Sequence, residues 1–162
     1  LTGGEPTVLR PGYVTQEMLE KVLGDVAVDR TILDGTTAER PKAPGMKYRH
    51  YAPKGDLAIV EGEPEAVTEY INRLCAEAAA AGKKTGVIGT DETFSSYAAD
   101  SVKTVGSRGD EEAIARSLYR ILREFDDEEV EVMYSESFST YGMGQAIMNR
   151  LLKAAGHRVI TV

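Results

Sequence analysis

The chain has 162 residues, of which 42% are hydrophobic and 28% charged, with a net charge of −7, enough polypeptide for one full domain, or one domain and part of another, around an ordinary core. The acidic balance argues against a general nucleic-acid surface and so against direct DNA binding, since counterion release needs many cations along a phosphate backbone. One cysteine excludes an internal disulfide and, with two histidines, leaves no cluster for a structural zinc; no run approaches the roughly 18 apolar residues of a membrane span, and a reducing, cytoplasmic setting is expected.

Residues 7–9 read as a short strand, followed by Arg10-Pro11-Gly12 as a turn and then a helix. Thr15 is suited to cap that helix, Val14 and Leu19 can form a hydrophobic staple across its start, and Gly24 closes it. Its apolar residues, Val14, Leu19, Val22 and Leu23, need a partner that so few residues do not supply. The chain also begins at Leu1 and runs at once into what reads as the end of a strand, so an amino-terminal part of a longer protein is expected. Arg10, pinned between a strand and Pro11-Gly12, has a stiff mount suited to phosphate or carboxylate; a surface charge beside a turn explains it equally well.

From residue 25 to residue 54 periodicity fades and Pro, Gly, Thr and charge take over, the composition of a connection. Loops beyond about 12–15 residues are usually disordered or functional, and the Tyr, Arg and His content favours function. Residues 44–53 read Pro-Gly-Met-Lys-Tyr-Arg-His-Tyr-Ala-Pro, and residues 40–54 hold five Lys or Arg and no acid, which leaves −12 for the rest of the chain. In an extended run, alternation sends Lys47, Arg49 and Tyr51 to one side and Tyr48 and His50 to the other. Either face could grip a phosphate or stack on a base. The competing reading is a packed loop whose rings cover a hydrophobic edge.

Beyond residue 54 the pattern is regular. Strands are predicted at 57–60, 85–89, 102–106, 130–134 and 158–162. A helix opens at Pro64 with Val67, Tyr70, Ile71, Leu74, Cys75 and Ala78 on one stripe and ends at Gly82. A second, capped by Asp110, turns Ile114, Leu118, Ile121, Leu122 and Phe125 inward, and a third runs through Ala146, Ile147, Leu151 and Ala154 to Gly156. Strands alternating with such helices predict an α/β fold: a three-layer Rossmann-like domain with a mostly parallel sheet of about five strands over residues 55–162.

Ligands of such sheets sit outside the carboxyl ends of the strands, which directs attention to residues 61–63, 89–96, 107–110 and 135–144. The last loop is the richest in hydroxyls, and Ser135, Gly142 and Gly144 make it the candidate ligand loop, because Gly142-Met143-Gly144 opens a helix whose amides could hold an anion. Ile147 occupies the third glycine position of a dinucleotide fingerprint, so glycines serving a tight strand-to-helix turn are the favoured reading. Cys75 reads as core, His157 as part of a helix end, and residues 126–129 as a solvated acidic turn without metal-binding spacing.

Three segments carry a resemblance to a known family. Residues 6–12, Pro-Thr-Val-Leu-Arg-Pro-Gly, resemble the end of a YrdC-type catalytic domain; residues 43–53 resemble the interdomain linker of two-domain L-threonylcarbamoyl-AMP synthases; and Gly142-Met143-Gly144-Gln145-Ala146-Ile147-Met148-Asn149-Arg150-Leu151 resembles the closing signature of their carboxy-terminal domain. The resemblance implies a division into a catalytic-domain remnant (1–24), a linker (25–54) and a Rossmann-like domain (55–162). It implies a nucleotidyltransferase that joins L-threonine, bicarbonate and ATP, with Mg as the companion of ATP, and releases pyrophosphate. A threonylcarbamoyl transferase complex downstream then modifies tRNA. By the same resemblance Arg10 and His50 are ATP contacts, and Lys47, Tyr48, Arg49 and Tyr51 form a linker lid. The upstream catalytic motifs lie outside these residues, so the chain alone is expected to hold no catalytic residue, no metal or cofactor of its own and no activity. The alternative is a non-catalytic nucleotide- or metabolite-binding regulatory module.

Overall fold

The computed structural model describes residues 4, 6–9, 12, 14–29 and 52–162. Near the amino terminus, β1 (Thr7–Val8), α1 (Gln16–Leu23) and β2 (Ala27–Val28) form a small strand-helix-strand unit. The two strands are parallel, with Thr7 opposite Ala27 and Val8 opposite Val28. The Thr15 hydroxyl accepts the Met18 N–H at 3.3 Å, and Gly24, at φ 79°, ends the helix with its N–H on the Glu20 carbonyl. Both ends follow from local chemistry: an N-cap oxygen for an orphan amide, and a residue without Cβ for a left-handed turn.

β2 is a strand that the sequence reading missed, inside the stretch taken for a connection. Two residues carry no periodicity. What makes them a strand is pairing, with the Ala27 N–H on the Pro6 carbonyl at 2.8 Å and the Asp29 N–H on Val8 at 2.9 Å.

Residues 52–162 build a five-stranded parallel sheet from β3 (Asp56–Glu61), β4 (Thr85–Gly89), β5 (Ser101–Thr104), β6 (Val132–Glu136) and β7 (Val159–Thr161), in the order β5-β4-β6-β3-β7. The helices α2 (Pro64–Ala80), α3 (Glu111–Asp127) and α4 (Met143–Ala154) cover it. The α/β, mostly parallel expectation holds. β6 begins two residues later than periodicity suggests, because Glu129 turns at φ 57° and the N–H groups of Glu131 and Val132 both reach the Lys84 carbonyl before the ladder starts.

Alternation divides the core between the two faces. Leu57, Ile59, Ile88 and Met133 pack with α3 and α4 through Ile114, Leu118, Ile121, Phe125, Ile147 and Leu151. Val60 and Val87 pack on the other face with Val67, Ile71 and Cys75 of α2 and with Tyr97. β6 lies between β4 and β3, so the sequence-distant end of β6 sits at the centre of the carboxyl edge, where the order of strands reverses.

Candidate functional site

The carboxyl edge is organised by Glu136, the last residue of β6. Its register partner is Val60, on the α2 face, and only 2% of it is exposed. A carboxylate so deep needs partners to offset lost hydration. It has three: Thr93 Oγ1 donates to Oε1, Tyr97 OH donates to the same oxygen at 2.8 Å, and the Arg108 guanidinium pairs with Oε2. Burial raises the pKa of the Tyr97 phenol above its ordinary value, with hydrogen bonding opposing the shift.

Arg108 links the loops. Its Nη1 donates to the Ser137 carbonyl at 3.1 Å, and its own N–H meets the Glu92 carboxylate at 3.0–3.1 Å, where Ser107 Oγ also donates at 2.6 Å. Ser107 and then the Arg108 amide hold the Glu92 carboxyl down, to about 2. The loops after β4, β5 and β6 are thus stitched to one another by two carboxylates around one arginine. The sequence reading singled out the hydroxyls of these loops and passed over Glu136, Arg108, Thr93 and Tyr97. The sequence reading ended the strand at residue 134 and left Glu136 in the loop, whereas the ladder runs on to Glu136 and buries it.

In the candidate ligand loop, Ser135 and the Gly144 amide are also engaged by groups of the chain itself. Ser135 is fully buried and its hydroxyl donates to the Glu136 carbonyl at 2.9 Å. Gly142 adopts φ 56°. At Gly144 a Cβ would overlap the Ser139 carbonyl, so glycine is required there for close packing. The Gly144 N–H at the start of α4 is met by Glu111 Oε2 at 3.2 Å. A carboxylate of α3 therefore takes the place that a ligand anion would take at this helix end, and the tight-turn reading of the glycines accounts for the geometry.

Cys75 is buried and burial pushes its thiol up to about 11, with the Asp100 charge adding to the shift; it is core, as expected. The His157 N–H closes α4 on the Leu152 carbonyl at 2.8 Å. The acidic run 126–129 needs a correction: Asp126 is no solvated turn residue but lies within α3, 6% exposed, because its carboxylate accepts the Lys54 N–H at 2.6 Å and faces Arg123. Among the described residues, no group of three or more His, Cys, Asp or Glu is placed to hold a metal ion, and no helix is long and apolar enough to cross a membrane. Arg10, Lys47, Tyr48, Arg49, His50 and Tyr51 lie outside the described residues.

Comparison with known proteins adds a family to this geometry. Residues 14–156 match the family described as threonylcarbamoyl-AMP synthase, C-terminal domain. The threonylcarbamoyl-AMP synthase of Bacillus subtilis is 47% identical over 155 residues, which are 96% of this chain and 43% of that protein. That of Pyrococcus abyssi is 43% identical over the whole chain and 46% of its own length. A crystal structure of P. abyssi Sua5 complexed with L-threonine superposes with a TM-score of 0.86 at 40% identity, over 100% of this chain and 46% of that one. A crystal structure of the C-terminal Sua5 domain of a Pyrococcus horikoshii protein is matched along its entire length by 68% of this chain, with a TM-score of 0.56 at 36% identity. The chain spans less than half the length of the curated relatives it matches.

Proposed function

Since the chain belongs to the family of the threonylcarbamoyl-AMP synthase C-terminal domain, we propose that it is the carboxy-terminal part of an enzyme that makes threonylcarbamoyl-AMP from L-threonine, bicarbonate and ATP, with release of pyrophosphate, for threonylcarbamoyladenosine modification of tRNA. The observation that carries this reading is near-complete coverage of the chain by synthases more than twice its length. In this reading the reaction is performed by the half of the enzyme upstream, Mg arrives as the companion of ATP, and residues 1–24, 25–54 and 55–162 are the end of the catalytic domain, the linker and an accessory domain. The chain by itself is inactive.

Arg10 and His50 contact ATP in this proposal, and Lys47, Tyr48, Arg49 and Tyr51 complete a basic, aromatic segment over the nucleotide. The chemistry calls for such a segment. A carbamate and an acyl-adenylate both hydrolyse readily, so excluding water protects them, and fixed cations stabilise the charge that develops as pyrophosphate departs. The reading as a separate metabolite-binding module draws no comparable support from the carboxyl edge, where the Gly144 amide and Arg108 are engaged by Glu111, Glu92 and Glu136.

The test is turnover of the complete protein on its three substrates, measured as pyrophosphate release and threonylcarbamoyl-AMP formation. His50→Ala and Arg10→Ala are each expected to lower the rate about 10–100-fold. Normal turnover in both variants rejects the roles given to these two residues, and absence of product from the unaltered protein rejects the activity.

A further inference from the structure

Between α3 and α4 lies a crevice of about 190 Å³, lined by Ala115, Leu118, Tyr119 and Leu122 of α3 and by Arg150 of α4. The four α3 residues share one side of the helix because they are spaced by three, four and seven positions. Leu118 and Leu122 are buried members of the core, so the floor of the crevice is made of side chains already fixed by packing. Tyr119 is 52% exposed, with the Arg123 guanidinium 5.5 Å from its ring centre.

Among the described residues the lining holds one charge, that of Arg150, and no acid. The three arginines of α3 are each paired, Arg116 with Glu112 at 3.7 Å, Arg120 with Glu124, and Arg123 with Asp126 at 2.8 Å. Arg150 differs: among the described residues its side chain has no hydrogen bond and no ion pair, and it is not one of the buried residues that pack α4. Its planar fork is therefore uncommitted and suits an oxyanion. Size and charge narrow the class. A cavity of about 150 Å³ lined by apolar side chains takes up benzene, so this crevice has room for one ring, or one branched alkyl chain, and a short polar head. One cation balances one negative charge; a carboxylate meets that, whereas a phosphate monoester carries about −1.5 to −2.

We propose that the α3–α4 crevice is a binding site for a small aryl or branched-alkyl carboxylate, its apolar body against Leu118, Leu122 and Tyr119 and its carboxylate on Arg150. The site is separate from the carboxyl edge and does not depend on the ATP-contact reading. Apolar contact alone would hold a neutral ring as well as a charged one; the guanidinium makes the site selective for the anion.

The experiment titrates sodium 3-phenylpropionate into the complete protein and follows the methyl NMR signals of Leu118 and Leu122. Saturable shifts are expected, with a dissociation constant on the order of 1 mM for a ligand of this size. The neutral 3-phenylpropanamide should bind about fivefold more weakly, and acetate, which has no ring, should leave both leucines unmoved. Arg150→Met keeps an apolar stem of similar reach and should weaken the carboxylate about fivefold while leaving the amide unchanged. Tyr119→Ser, at an exposed position, should weaken both ligands about threefold and keeps the test open if Arg150→Met does not fold. Equal affinity for carboxylate and amide, or for the unaltered protein and Arg150→Met, overturns the role of Arg150. Tighter binding of phenyl phosphate than of the carboxylate overturns the ligand class. Shifts seen in the 162-residue chain but absent from the complete protein would assign the crevice to another part of the same polypeptide, and leucine shifts that follow protein concentration without ligand would assign it to a second copy; either result overturns the site.

Discussion

α1 and α3 are built from the same local signals and end in opposite circumstances. Each starts on a side-chain cap, Thr15 to the Met18 N–H and Asp110 to the Ala113 N–H, and each gathers its apolar residues on one side. α3 buries Ile114, Leu118, Ile121, Leu122 and Phe125 against the sheet. α1 buries none of its residues, and Val22 is 82% exposed. Caps and spacing decide where a helix begins and which way its apolar side faces, but burial needs a second surface. Residues 52–162 provide that surface for one another.

The contrast can be broken at its strong end first. Phe125 is fully buried beneath α3, so Phe125→Ala is expected to destabilise the five-stranded region by about 3–5 kcal/mol, read from urea unfolding; a loss below about 1 kcal/mol would show that this core is far looser than its burial implies.

An intermediate effect comes from the loop stitching of the same region. The Glu92 carboxyl is lowered from 4.5 to about 2 by Ser107 and the Arg108 amide. A carboxyl depressed on folding contributes stability that is present above its ordinary range and lost as pH falls through the window from 4.5 toward 2. Glu92→Gln should therefore flatten the acid limb of thermal stability in that window, and an unchanged slope would detach Glu92 from the stability of the edge.

The smallest effect sharpens the comparison from the other side. Val22→Ser in the 162-residue chain should change stability by less than about 0.5 kcal/mol by thermal unfolding. A loss of about 2 kcal/mol or more would mean that α1 packs against residues beyond those described, and would remove the difference between the two helices.

Much of the fold was legible in single stretches of sequence. Thr15 and Asp110 cap as read, Pro64 opens α2, and the stripes of α2, α3 and α4 face the sheet. β2 was not legible, since its two residues become a strand only by pairing with Thr7 and Val8. The carboxyl edge was half legible. The position of the loops follows from alternating strands and helices, but the engagement of Ser135 and the Gly144 amide by other groups of the chain was not visible, and Glu136 with Arg108, 28 residues away in sequence, was overlooked. Asp126 was misread for the same reason: its partner, the Lys54 N–H, lies 72 residues distant.

The sequence by itself determined the elements of residues 52–162, the Thr15 and Asp110 caps, the two-faced core and the family, because each is written in neighbouring residues or short motifs. Only the tertiary structure decided the strand order β5-β4-β6-β3-β7, the closure of the carboxyl edge around Glu136 and the seating of residues 52–54 on Arg123 and Asp126. The last two depend on buried charges finding partners far along the chain, and leaving such groups unpaired would be costly.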